Sequence, residues 1–198
     1  MLPNLPLKFL NQLDWNWQGK FLSILWGVLF ILCTSFLTRK EAGFEWKVER
    51  SSWPAFIIVC LLGIGLQWWD ISTDGGIKSI HFNAEKFWYE LTMPGLSEEL
   101  IYRGIILGLL NKIFISRVRI LGASVGWGLL IQAVIFGGGH SFYFDDASAI
   151  HFALAPALIT GAIGLVIGWL RERTGSIVLP IVFHNLFNVF PQALAMIF

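Results

Sequence analysis

Residues 96–114 read LSEELIYRGIILGLLNKIF. At about 1.5 Å per helical residue the run is long enough to cross most of a hydrocarbon core of about 30 Å, and most of its side chains are apolar. Yet it carries Glu98, Glu99 and Arg103, and a charge set in lipid costs on the order of 3 kcal/mol unless it faces the protein interior. Such a segment is tolerable only inside a bundle of other spans. Five further apolar runs supply one: Phe21 to Thr38, Trp53 to Trp69, Ile120 to Gly139, Ala149 to Leu170 and Ser176 to Phe198. The composition agrees. Of 198 residues, 56% are hydrophobic and 14% charged, against roughly 25% charged in soluble proteins. That excludes a disordered chain, a nucleic-acid-binding protein and an ordinary cytosolic enzyme. The expected fold is all-α, a polytopic integral membrane helical bundle of about six transmembrane helices, in one domain over residues 1–198.

The connecting segments carry the orientation. Arg39, Lys40, Lys47, Arg50, Lys112, Arg117, Arg119, Arg171 and Arg173 fall on alternate loops, and Lys8, Lys20, Lys78 and Lys86 on the others. By the positive-inside rule the richer side is cytoplasmic, so both termini are expected outside the cytoplasm. The layout suits a prokaryotic plasma membrane. Asp70 to Gly95 is polar enough to leave the bilayer, while Phe87, Trp88, Tyr89 and Leu91 make its second half apolar on one flank, predicting an interfacial amphipathic helix. Tryptophans near span ends, among them Trp15, Trp17, Trp53 and Trp69, read as interfacial anchors. Cys33 and Cys60 lie in apolar runs and read as small buried groups rather than a disulfide.

Three polar constellations interrupt the spans. Glu99 and Arg103 are four residues apart and share a helix face, whereas Glu98 points about 100° away. Two carboxylates with one cation leave a charge uncompensated. Phe136-Gly-Gly-Gly-His140 ends one span with an imidazole beside a glycine run, which lets another backbone or a substrate approach closely. His184 and Asn188 share one face of the last span. On the alternating topology these residues can meet in the outer half of the membrane as one shared functional site.

The pattern E-E-x-x-x-R, then F-x-x-x-H, then H-x-x-x-N resembles the CPBP family of intramembrane proteases, which includes CAAX proteases and bacteriocin-processing enzymes and is also called the Abi family. The approach Arg173 to Pro180 is similar too, and the likeness covers about residues 94–191. It implies an intramembrane endopeptidase in which Glu98 activates a water held with His140, and His184 and Asn188 orient or stabilise the oxyanion. Glu99 and Arg103 would hold the first motif in place. The implied partners are a membrane-anchored protein or peptide substrate and the lipid bilayer, with no nucleic acid.

No cofactor is required by that reading. Glu98, His140 and His184 are nevertheless a carboxylate and two imidazoles, a set that could hold a divalent metal such as Zn with a water position open. Asn188 beside His184 suits oxyanion binding and favours the metal-free form. Gly122-Ala-Ser124-Val-Gly126 matches G-x-S-x-G, but Ser124 placed on one helix with His140 is about 24 Å away. The pairs Gly122/Gly126, Gly104/Gly108 and Gly164/Gly168 read instead as close helix packing. A transporter and a peptide-binding bacteriocin immunity protein are the competing classes. An outward-facing site favours bacteriocin leaders or C-terminal sorting signals over prenylated CAAX proteins.

Overall fold

The computed structural model describes residues 13–73, 76, 79–145 and 148–197; Lys8, Lys78 and Phe198 lie outside them. Helix α1 (Trp17–Cys33) is followed by an irregular segment and α2 (Trp53–Thr73). Next, α3 (Ala84–Glu98) runs through a π-helical stretch, Glu99–Ile106, into α4 (Leu107–Ile113). A hairpin, β1 (Val118–Ile120) with β2 (Ala123–Val125), leads into α5 (Trp127–Gly139), and a second, β3 (Phe142–Phe144) with β4 (Ile150–Phe152), leads out of it. Helices α6 (Leu154–Thr174) and α7 (Val178–Ile197) complete the bundle. The protein is an all-α membrane bundle with two short hairpins.

Its surface is inverted relative to a soluble protein. Leu61, Leu62 and Leu66 on α2 and Leu158 and Ile159 on α6 face outward, while Ser97, Glu99, Arg103 and Gln132 are fully buried. Apolar residues outside and polar ones inside are what lipid demands, because an unpaired polar group is costly there. Three helical segments among the described residues are long and apolar enough to cross a membrane: Arg50–Thr73, Leu154–Thr174 and Val178–Ile197.

The expected spans need redrawing at several ends. The first ends at Cys33, where Thr34 turns extended and bonds back to Phe30 through both its amide and its hydroxyl. Residues 120–126 are not helical. Leu121 and Gly122 both have positive φ, the geometry of a tight hairpin turn, so the Gly122/Gly126 pair serves the hairpin rather than helix packing. Helix α5 is therefore only 13 residues long, about 20 Å. The fifth span starts at Leu154, after β4. The expected surface helix is not separate: Ala84 to Ile113 is one continuous helical rod of roughly 45 Å. Asn83 caps it by accepting from the Lys86 amide at 2.9 Å.

Trp15 and Trp17 pack on Tyr89, with centroids 5.5 and 5.4 Å away, and the Trp17 indole donates to Glu85 at 3.1 Å. They dock the start of α1 onto α3. The tightest crossing joins α5 to α6. A Cβ at Gly137 would lie 2.3 Å from the Ala157 carbonyl and 3.0 Å from the Gly161 Cα, so only glycine lets these backbones approach.

The loops carrying the nine basic residues gather at one end. Arg171 donates to the Glu41 carbonyl, Arg173 to those of Ser51 and Leu121, and Lys112 to that of Phe36. The Arg171 and Lys112 bonds satisfy carbonyls of the irregular 34–49 segment, and those of Arg173 satisfy carbonyls just before α2 and in the β1–β2 turn, which would otherwise be orphaned at the bundle end. Gly104 and Gly108 receive the Ala42 and Glu41 carbonyls of the same segment. Phe56, Val59, Ile167, Leu170, Leu179 and Phe183 form the apolar core between α2, α6 and α7.

Candidate active site

Glu98 and Glu99 sit at the middle of the rod from Ala84 to Ile113 and point to different neighbours. Glu99 is fully buried; its Oε1 accepts from Arg103 Nη1 at 3.0 Å and from His184 Nδ1 at 2.6 Å. Arg103, equally buried, donates its Nη2 to the Gly164 carbonyl at 3.3 Å. Its guanidinium lies 4.2 Å from the centroid of Phe136, so charge, backbone and π-face all hold it. Winding into the π-helical form begins at Glu99, and such local rewinding is frequent at functional sites.

Phe136 explains the spacing before His140. Its ring lies 4.9 Å from Tyr102 and 4.5 Å from His140, and a Cβ at Gly164 would come within 2.9 Å of it. The His140 ring is fixed from behind as well, because Nδ1 lies 2.8 Å from the Phe136 carbonyl. A carbonyl only accepts, so Nδ1 carries a proton and Nε2 is the ring nitrogen that faces forward. His184 obeys the same logic, with its Nδ1 on the Glu99 carboxylate.

Both free Nε2 atoms face one carboxylate oxygen. Glu98 Oε2 is 3.5 Å from His140 and 3.9 Å from His184, and it is buried with no hydrogen-bond partner. The other oxygen, Oε1, is paired with Lys20 Nζ from α1. Lys20 therefore supplies the cation that the Glu-Glu-Arg set lacks. A cavity of about 290 Å³ opens beside this group, lined by Lys20, Glu90, Glu98, His140, His184 and Asn188 with Phe183 and Phe187. A second, of about 450 Å³, lies on the α1 side and shares Lys20, Glu98 and His140 as its wall.

The expected residues thus converge: Glu98, His140, His184 and Asn188 line one cavity, with Glu99 and Arg103 immediately behind. Ser124 does not join them. It sits on β2, at the opposite end of α5 from His140, so the helical distance computed from sequence is replaced by a separation across the whole of α5. As a metal site the Glu98, His140 and His184 set fits poorly. No group of three or more such side chains among the described residues is arranged to hold a metal ion, and the Lys20 ammonium on Glu98 would oppose a dication.

Three participants were missed. Lys20 read as a loop charge but lies in the first turn of α1, where its ammonium turns inward. Glu90 lines the cavity two turns before Glu98. Asn185, adjacent to the expected His184, accepts from the Gly95 amide at 2.8 Å and donates to the Thr92 carbonyl at 3.3 Å. It braces α3 around Pro94, where the helix lacks an amide proton. That leaves Asn188, and not Asn185, facing the cavity.

Residues 84–190 match the profile of the family described as type II CAAX prenyl endopeptidase Rce1-like. The chain belongs to this family. The matched segment holds all six expected site residues and excludes α1 and α2. The resemblance drawn from the three motifs is borne out at the family level, and an integral membrane setting goes with it. A probable aquaporin, NIP4-2, from Arabidopsis thaliana is 27% identical over 96 residues, 48% of this chain and 33% of that protein. The match thus spans about a third of that curated relative's length. No solved structure matches the chain.

Proposed function

We propose that the protein is an intramembrane endopeptidase whose water-activating base is Glu98. One observation carries this reading: Glu98 Oε2 is buried, unpartnered and faced by the Nε2 atoms of two imidazoles whose rings are held from behind through Nδ1. A water in that position donates one proton to Glu98 Oε2 and the other to His140 Nε2. Its oxygen is then oriented toward a carbonyl carbon lying in the cavity. Attack transfers a proton to Glu98, and the carbonyl oxygen becomes an oxyanion. The Asn188 amide, which makes no hydrogen bond to the described residues, is the donor aimed at it. His184 joins it when Nε2 is protonated. Collapse breaks the C–N bond as Glu98 returns the proton to the leaving amine, giving a free amine and a carboxylic acid that then loses its remaining proton to solvent. Glu99 and Arg103 do not touch substrate in this scheme; they hold His184 in register.

The substrate class is a membrane-anchored protein or peptide, since the site lies within the bundle. We read the end bearing the nine basic residues as cytoplasmic. His140 closes α5 at the opposite end, which favours anchors or leaders cut toward the extracytoplasmic side.

The experiment is a map of new protein termini in membrane and secreted fractions of cells carrying the native protein or Glu98→Gln at matched expression. Termini absent only with Glu98→Gln are expected. Identical termini with a folded, membrane-inserted variant would overturn the reading in favour of a peptide-binding or transport role.

A further inference from the structure

We propose that Lys20, on a helix outside the family-matched segment, is a positioning residue of the active site: its ammonium fixes the Glu98 carboxylate so that Oε2 faces the two imidazoles. The proposal rests on Glu98 being the base. Geometry carries it. Lys20 Nζ pairs with Oε1, leaving Oε2 as the oxygen toward His140 and His184. A carboxylate held by one oxygen cannot rotate freely about its terminal bond, and an unheld one would present either oxygen, or neither, to the water.

Charge points the same way. Glu99 is matched by Arg103, and Glu90 has Lys86 one turn away on α3. Glu98 has Lys20. The side chains of this pair are only 20% and 15% exposed, so neither member is a solvated surface charge. A lysine this close to a helix end ordinarily snorkels outward to the interface, whereas Lys20 turns into the bundle.

The position of Lys20 is also over-determined. Just before it, Trp17 and the Trp15 amide bond to Glu85. Two turns after it, Gly27 allows contact with Leu100, whose Cδ2 would lie 2.7 Å from an added Cβ. These contacts register α1 on α3 on both sides of Lys20. Because Lys20 lies on the wall between the two cavities, a small cation entering from the α1 side can reach the place its ammonium occupies.

The test uses the full chain in detergent or bilayer and a quenched-fluorescence peptide built on a bond found by terminus mapping. Lys20→Ala is expected to lower kcat roughly 10- to 100-fold with KM little changed. Lys20→Arg should retain most activity, and added ethylammonium should restore part of the Lys20→Ala loss. Glu98→Gln run in parallel separates the two readings. If Glu98→Gln is active, the base assignment fails. If Glu98→Gln is dead while Lys20→Ala matches the native protein, the positioning role fails. Should Lys20→Ala not fold, Lys20→Met, which keeps the apolar stem, is assayed instead. Failure of both to fold would make Lys20 a folding residue and overturn the proposal.

Discussion

The Glu99 carboxylate oxygen that accepts from Arg103 also accepts from His184 Nδ1, at 3.0 and 2.6 Å, with all three side chains buried. One oxygen thereby joins the middle of α3–α4 to α7 and fixes which imidazole nitrogen faces the cavity. Removing it should act on stability and chemistry together. Glu99→Ala leaves the Arg103 charge buried without its partner, and a loss of about 3–5 kcal/mol is expected. Thermal unfolding in detergent measures it. In Glu99→Leu combined with Arg103→Met, stability should largely return because neither charge remains. Activity should not return, since nothing then sets the His184 tautomer.

Asn185 and Asn188 lie within one turn of α7 and should separate cleanly. Asn188→Ala is expected to lower kcat by roughly 10²- to 10³-fold, as for the loss of one oxyanion donor, with little change in unfolding temperature. Asn185→Ala strands the Gly95 amide and the Thr92 carbonyl and should instead cost about 1–3 kcal/mol. Paired kinetic and unfolding measurements decide, and a reversed pattern would move the oxyanion role from Asn188 to Asn185.

Gly137→Val should displace α5 from α6, because even the first added carbon meets the Ala157 carbonyl at 2.3 Å. His140 is three residues further on and would move with the helix. Both activity and thermal stability are expected to fall. Gly138→Ala, where nothing lies within 4 Å of an added Cβ, is the control and should leave the fold unchanged.

Chelators should not abolish cleavage. With Lys20 on Glu98, the carboxylate already carries its compensating cation, so treatment with 1,10-phenanthroline or EDTA is expected to leave the initial rate intact. Loss of activity restored by added Zn would place a metal on Glu98, His140 and His184. Ser124→Ala should also be silent, as Ser124 lies on the β1–β2 hairpin remote from the cavity.

Much of this protein was legible without tertiary structure. Glu98, Glu99 and Arg103 announce themselves because ionised groups inside an apolar run must face a protein interior, and the four-residue spacing of Glu99 and Arg103 predicts the pair that forms. His140, His184 and Asn188 stand out for the same reason, and the alternation of spans is enough to bring their ends together. Helix ends were less legible. Hydropathy alone does not separate the apolar end of a hairpin from the helix that follows it, so the last residue of β1, the turn and β2 were read into the span of α5.

Three things only the packing decided. Lys20 on α1 reaches Glu98 across 78 residues of sequence, a pairing that no local spacing encodes. Asn185 and Asn188 are both compatible with a polar face of α7 until the approach of α3 assigns one to brace the helix and leaves the other to the cavity. Ala84 to Ile113 forms one rod because α1 and α7 cover its first half, turning a segment that would lie on the membrane surface in isolation into part of the bundle. Sequence by itself determined which residues could not be left in lipid. The three-dimensional fold decided which of them meet, because contacts between distant helices depend on register and crossing, and these arise only when all the helices pack at once.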